Sequence, residues 1–165
     1  VSVVSQFLEA NARYTSSFSK GDLAAPPAKR VAIVTCMDAR LDPAKFLGLE
    51  EGDAHVIRNA GGRVTTDVLR SLIISQQFLG TREILVIHHT DCGMLSFTDE
   101  QLRQRLREQF GVPADDWAFL PFTDLEQSVR DDVALIRRSP FILPETTVTG
   151  WIYDVRTGKL LPVDQ

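Results

Sequence analysis

The sequence predicts an α/β protein: a mostly parallel four-stranded sheet with an antiparallel C-terminal edge strand, helices on both faces and an N-terminal helical arm. Three observations predict it. Short β-branched runs alternate with segments of helical periodicity along the chain, the pattern of strands joined by crossover helices. The runs Arg30 to Thr35 and Glu83 to His88 are apolar without alternation, as strands covered on both faces are. Each is followed at once by residues able to bind a metal, at the sheet edge where ligands bind in such folds.

The elements follow in order. Val3, Val4, Phe7, Leu8 and Ala12 make an apolar stripe at helical spacing within Val1 to Phe18, so a leading amphipathic helix must cover that stripe with its own core or a partner. Gly21 to Pro27 breaks regular structure and reads as a linker, its Pro26-Pro27 pair extended and stiff. Arg30 to Thr35 is the first strand. Asp42-Pro43 starts a short helix over Ala44 to Leu49, and Ala54 to Arg58 is the second strand. The small-residue loop Asn59 to Gly62 leads to a helix over Val64 to Leu79, with Val68, Leu69, Leu72, Ile73 and Leu79 facing the core and Gly80 as its stop. Glu83 to His88 is the third strand.

Thr98 and Gln101 form a capping-box pair for a helix that runs through Leu102, Leu106 and Phe110 to Gly111. After the aromatic stretch Trp117 to Phe122, Thr123 and Glu126 repeat that pattern ahead of Leu125, Val129, Val133 and Ile136. Thr147 to Tyr153 is the fourth strand. Thr157-Gly158 turns the chain into Lys159 to Val163, an edge strand whose Pro162 discourages further pairing.

Composition narrows the function. With 165 residues, 44% apolar and 24% charged, the expectation is a single domain (1–165), divided into an arm and linker (1–27) and an α/β core (28–165). A formal net charge of -4 argues against nucleic-acid or anionic-membrane partners. Apolar runs are only strand-sized, so no membrane span is expected. Two cysteines and no opening signal-peptide pattern favour a cytoplasmic setting in which thiols stay reduced.

Function concentrates in Thr35-Cys36-Met37-Asp38-Ala39-Arg40 and His88-His89-Thr90-Asp91-Cys92-Gly93. If the two preceding strands are neighbours, Cys36, His89 and Cys92 meet at one sheet edge. Two thiolates and an imidazole suit Zn2+ and leave a fourth tetrahedral position open for chemistry. Taken singly, each reads more simply as a buried core residue; the His-x-x-Cys spacing and the matching strand ends favour the joint reading. His55 and His88 are the remaining histidines, and either is a candidate fourth ligand. In extended chain Cys36, Asp38 and Arg40 share a side. Asp38 is placed either to bind the metal or to accept a hydrogen bond from metal-bound water, with Arg40 as a two-pronged partner that keeps it ionised. The bland alternative is a surface ion pair of little worth.

These motifs resemble the β-class carbonic anhydrases, whose Cys-x-Asp-x-Arg is matched by Cys36, Asp38 and Arg40, and whose His-x-x-Cys-Gly is matched by His89, Cys92 and Gly93. Cys36-Met-Asp-Ala-Arg-Leu41, Arg58-Asn-Ala-Gly-Gly62 and Thr157-Gly-Lys-Leu160 are similar to the small archaeal-type and mycobacterial branch, and the likeness covers nearly the whole chain. It implies zinc-dependent hydration of CO2 to bicarbonate by a zinc-bound hydroxide, with Asp38 and Arg40 catalytic and Gly93 N–H contacting substrate. It also implies a dimer or tetramer embraced by the leading helix.

The chain departs from the family pattern at His55, which stands where other members carry a Gln or Lys donor to substrate. His55 is therefore either a substrate contact or a packing residue. His88 is either a proton relay or a space-filling residue behind the metal ligands. The Asn59 to Gly62 loop, Gly62 included, is a weaker candidate for backbone donors to an oxyanion. Carbonyl sulfide and carbon disulfide are alternative substrates of the same hydroxide, and a non-enzymatic zinc-stabilised binding module is the outside reading. A nucleotide-binding role is disfavoured, because Gly61-Gly62 matches neither glycine fingerprint.

Overall fold

The computed structural model describes residues 2–164. Five strands, β1 (Val31–Cys36), β2 (Ala54–Asn59), β3 (Glu83–His89), β4 (Thr147–Tyr153) and β5 (Leu160–Val163), form one sheet in the order β2-β1-β3-β4-β5. The first four run parallel, and β5 pairs antiparallel with β4. Five helices accompany them: α1 (Val4–Ser16), α2 (Pro43–Leu47), α3 (Thr66–Leu79), α4 (Asp99–Phe110) and α5 (Leu125–Arg137). The strand order puts the two continuously apolar strands, β1 and β3, side by side. Thr35 pairs with Ile87 in the β1–β3 ladder, so Cys36 and His89 leave the sheet at the same edge.

All six residues of β1 are buried, which explains the unbroken apolar run. One face of the sheet packs Ala32, Val34, Ile84 and Val86 against Val68 and Leu72 of α3 and Val129, Val133 and Ile136 of α5. The opposite face packs Ile33 and Ile87 against Phe46 and Leu47 of α2, Trp151 and Tyr153. Both helix stripes expected from periodicity therefore face the same layer.

Helix ends follow local chemistry. Asp42 caps α2 ahead of Pro43, Thr65 caps α3 and Gly80 closes it with φ 80°, and Thr98 with Gln101 makes a complete capping box on α4. At α5 the expected pair is displaced by one residue. The cap is Asp124, whose side chain accepts from the Gln127 backbone N–H, because a carboxylate is a stronger acceptor for the first turn than the neighbouring Thr123 hydroxyl.

The arm is a helix, but α1 contains no buried residue. Phe7 and Leu8 are 64% and 65% exposed, so this chain's own core does not cover the stripe. Leu72 is fully buried between α3 and the sheet. Leu72→Ala should cost about 2–5 kcal/mol, read as a lower urea midpoint at unchanged slope.

Candidate metal centre

Cys36 ends β1 and His89 ends β3. Cys92 follows three residues later at the head of a short 3-10 turn, Gly93–Leu95, reached through Asp91 at φ 54°. The Cys36 and Cys92 sulfurs and a His89 ring nitrogen all lie within 4.8 Å of one another, on buried residues. The strand ends fix two of the three donors, and the turn returns the third.

The ring of His89 is oriented by its own loop. Nδ1 donates to the Thr90 carbonyl oxygen at 2.7 Å, which leaves Nε2 with its lone pair aimed into the cluster. That nitrogen is buried and has no hydrogen-bond partner. A buried acceptor without a donor is costly, and beside two sulfurs it has the character of a metal ligand. The donor set and this orphaned nitrogen fit Zn2+.

The sulfurs are polarised as well. The Cys92 thiol beside it pulls the Cys36 thiol down, against the opposing effect of burial. Cys92 is pushed up, first by the neighbouring Cys36 sulfur and then by burial. For His89, burial pulls downward, but the Cys36 sulfur, the Thr90 carbonyl and the charge of Asp38 outweigh it and the ring is raised. Gly61 N–H adds a hydrogen bond to the Cys36 sulfur at 3.3 Å. Gly61 and Gly62 both have positive φ, and a Cβ on Gly62 would come within 2.9 Å of the Cys36 backbone nitrogen. Only glycine lets this loop lie against the end of β1.

Asp38 and Arg40 stand together at the rim. The Arg40 guanidinium reaches both Asp38 carboxylate oxygens, Nε to Oδ1 at 3.0 Å and Nη2 to Oδ2 at 2.8 Å, and the Arg40 backbone N–H adds a third bond. Arg40 beside it holds the Asp38 carboxyl well below the usual carboxylate range. Asp38 Oδ2 lies 3.6 Å from His89 Nε2, so the carboxylate borders the metal-ligand cluster. Arg40 also spans to the second loop through Asp91, at Oδ2 and at the backbone carbonyl, both 3.0 Å. Arg58 ties down the first loop by donating to the carbonyls of Cys36, Asp38 and Leu41.

Neither Asp91 nor Arg58 is singled out by sequence reasoning. Asp91 lies inside the His-x-x-Cys spacer, and Arg58 begins the Arg-Asn-Ala-Gly-Gly stretch; their only signal was adjacency to a motif.

Leu41, Met94, Phe97, Phe122, Phe46, Tyr153 and Val155 form the apolar surroundings of the two cysteines. Gly93 lies beside Cys92 with nothing within 4 Å of where a Cβ would stand. Gly62 abuts the cluster through its backbone. His55 does not join these residues. It pairs with Ala32 near the start of β1, whereas Cys36 pairs with Asn59 at the other end, and its Nδ1 meets Ser75 Oγ at 2.7 Å. Four strand residues separate the two levels by about 13 Å. His88 points to the other side of the sheet from His89, as alternate strand residues must. It is fully buried, with Nδ1 on Ser128 Oγ and Nε2 on the Gly62 carbonyl.

A doubly covered parallel sheet with Cys, His and Cys at its carboxyl edge defines a zinc metalloenzyme of the α/β class. Residues 31–117 match the carbonic anhydrase family. The chain is 48% identical to β-carbonic anhydrase 1 of Mycobacterium tuberculosis, over 97% of each chain. A carbonic anhydrase structure from Streptococcus mutans superposes with a TM-score of 0.95 at 51% identity, covering 99% of both chains. A carbon disulfide hydrolase of Acidithiobacillus thiooxidans is 34% identical, over 83% of this chain and 78% of that protein. The chain belongs to the β-carbonic anhydrase family, and is a zinc enzyme of that type.

Two outcomes test the geometry. His89→Ala should reduce bound zinc, measured by elemental analysis of the purified protein, from about one ion per chain to a trace. Because the folded carboxyl of Asp38 is depressed, its pair with Arg40 contributes stability above the usual 3.8, and that contribution is lost as pH falls through the lower folded value. Urea unfolding of wild type and Arg40→Gln should therefore differ by a constant amount from pH 5 to 8 and converge at strongly acid pH.

Proposed function

We propose that this protein hydrates CO2 to bicarbonate, with Cys36, His89 and Cys92 as zinc ligands and Asp38 and Arg40 as the catalytic pair. The observation that carries this reading is the Asp38 carboxylate, held ionised by Arg40 and 3.6 Å from the orphaned His89 Nε2. A site that only stabilises a fold has no use for an oriented carboxylate beside its ligands. The 48% identity to a β-carbonic anhydrase over nearly the full chain supports the same reaction.

Zinc at this centre supplies a Lewis acid that makes water nucleophilic near neutral pH. Asp38 accepts a hydrogen bond from the attacking water and turns an oxygen lone pair toward the substrate carbon. Its lowered pKa keeps it ionised, which makes it an orienting acceptor rather than a proton store, so the proton passes to solvent. Arg40 occupies both carboxylate oxygens and keeps Asp38 from turning onto the metal ligands. Gly93, whose flank is open, donates its N–H to a substrate oxygen, and the Phe97, Phe122 and Leu41 wall receives an uncharged linear molecule without hydrogen-bonding it. Two reduced thiols suit a cytoplasmic setting. The exposed stripe on α1, Val4, Phe7 and Leu8, suits an arm laid on a second copy of the chain, which makes the working unit a dimer or a multiple of one.

Asp38→Asn should keep its zinc and lose about 100-fold or more in turnover; stopped-flow hydration with parallel metal analysis checks both halves. Wild-type enzyme should hydrate CO2 faster than it releases H2S from carbonyl sulfide or carbon disulfide. The reverse ranking would assign the site to the sulfur substrates instead. Phe7→Asp with Leu8→Asp should lower the mass seen by sedimentation to a smaller assembly, while the far-ultraviolet dichroism of the core stays unchanged.

A further inference from the structure

Behind the metal-ligand cluster lies a buried polar network that the proposed reaction does not use. Asp132 on α5 is 0% exposed. It receives the Arg63 guanidinium in a two-pronged pair, Nε to Oδ2 at 2.9 Å and Nη2 to Oδ1 at 3.3 Å. His88 Nε2 lies 3.0 Å from the same Oδ2 and 3.1 Å from the Gly62 carbonyl. Both neighbours are acceptors, so Nε2 carries a hydrogen. The other ring nitrogen rests on Ser128 Oγ at 2.8 Å.

Arg63 directly follows the two glycines and is held from both sides. Its backbone N–H and carbonyl are clamped by the Asn59 side chain, each at 2.8 Å. Its third arm donates to the Leu120 carbonyl at 2.7 Å, and Phe122 stacks beneath the guanidinium with its ring centre 5.2 Å away. The Gly61–Gly62 loop is thus fastened at Gly62 by His88 and at its exit by Arg63, and both fastenings converge on one carboxylate. What the loop presents at its front is the Gly61 N–H, 3.3 Å from the Cys36 sulfur.

A hydrogen bond to a ligating sulfur draws electron density from it and so tunes the metal. We propose that Arg63, Asp132 and His88 are positioning residues that set the electron-donating strength of the Cys36 thiolate by holding Gly61 N–H against its sulfur. This rests on Cys36 being a zinc ligand, as proposed above. An ion pair with no exposed partner is an expensive way to pack a core, since apolar side chains of like volume serve equally well. Its position behind a ligand-bonding loop gives it a use. A single carboxylate joins α5, β3 and the loop, so the strength of a bond at the metal depends on a helix that contributes no ligand.

The test uses cobalt-substituted protein, whose sulfur-to-cobalt charge-transfer absorption reports the electron richness of the thiolates. Wild type should show that band. In Asp132→Asn the loop loses its anchor, Gly61 N–H withdraws, and the band should move to longer wavelength, with CO2 hydration by the zinc form down about tenfold. His88→Gln should move the band in the same direction, and the double variant no further than the larger single shift. The paired change Arg63→Met with Asp132→Leu removes both buried charges and serves if Asp132→Asn does not fold; it should shift the band likewise. A folded variant of either kind with lowered urea resistance and a wild-type band overturns the inference, because the network then only stabilises the core. A wild-type protein without the band removes the thiolate ligands themselves, and this inference with them.

Discussion

Everything at the functional edge depends on a single registration: β1 lies beside β3 with Thr35 opposite Ile87. Because the strands are parallel, their carboxyl ends emerge together, and residues more than fifty positions apart in the chain become neighbours. Slipping the ladder by one residue would exchange the faces of every side chain in β3. His88 would then face the metal ligands and His89 the core. The apolar residues that bury β1 and β3 on both faces fix that register, so the geometry of the chemistry is set by packing remote from it.

Two loops then do what the strands alone do not. The first is held by Arg58, which collects three carbonyls. The second is held to the first by Arg40 through Asp91. Arg40 therefore has two functions that one guanidinium meets at once: it keeps the Asp38 carboxylate ionised, and it keeps the two halves of the site at a fixed separation. Losing it would disturb acidity and geometry together, whereas removing Asp91 alone would disturb only geometry.

How far the sequence announced this structure can be judged residue by residue. Continuous apolar runs identified β1 and β3, and the ends of the other strands lie within a residue of their expected places. Cys36, His89, Cys92, Asp38 and Arg40 converge because spacing after a strand carries three-dimensional meaning in a parallel sheet. His55 is the exception to that rule: strand register places it opposite Ala32, at the other end of the strands from this chain's own metal ligands, and a family correspondence carries no information about register. The α5 cap was displaced because Thr123 and Asp124 are both good caps and sequence alone does not rank them in context. The Arg63–Asp132–His88 network was invisible: its members lie in three separate segments with no common motif, and only the packing of α5 on β3 brings them together. The exposed stripe of α1 was visible as periodicity, and the fold shows that the core does not cover it.

The central claim is that two loops at the ends of β1 and β3 hold one zinc ion beside an oriented carboxylate. X-ray absorption at the zinc edge of purified protein tests it most directly. The account predicts two sulfur ligands at about 2.3 Å and one imidazole nitrogen at about 2.0–2.1 Å, with a light-atom scatterer completing four-coordination. A zinc environment lacking sulfur, or protein that binds no zinc at all, would contradict it.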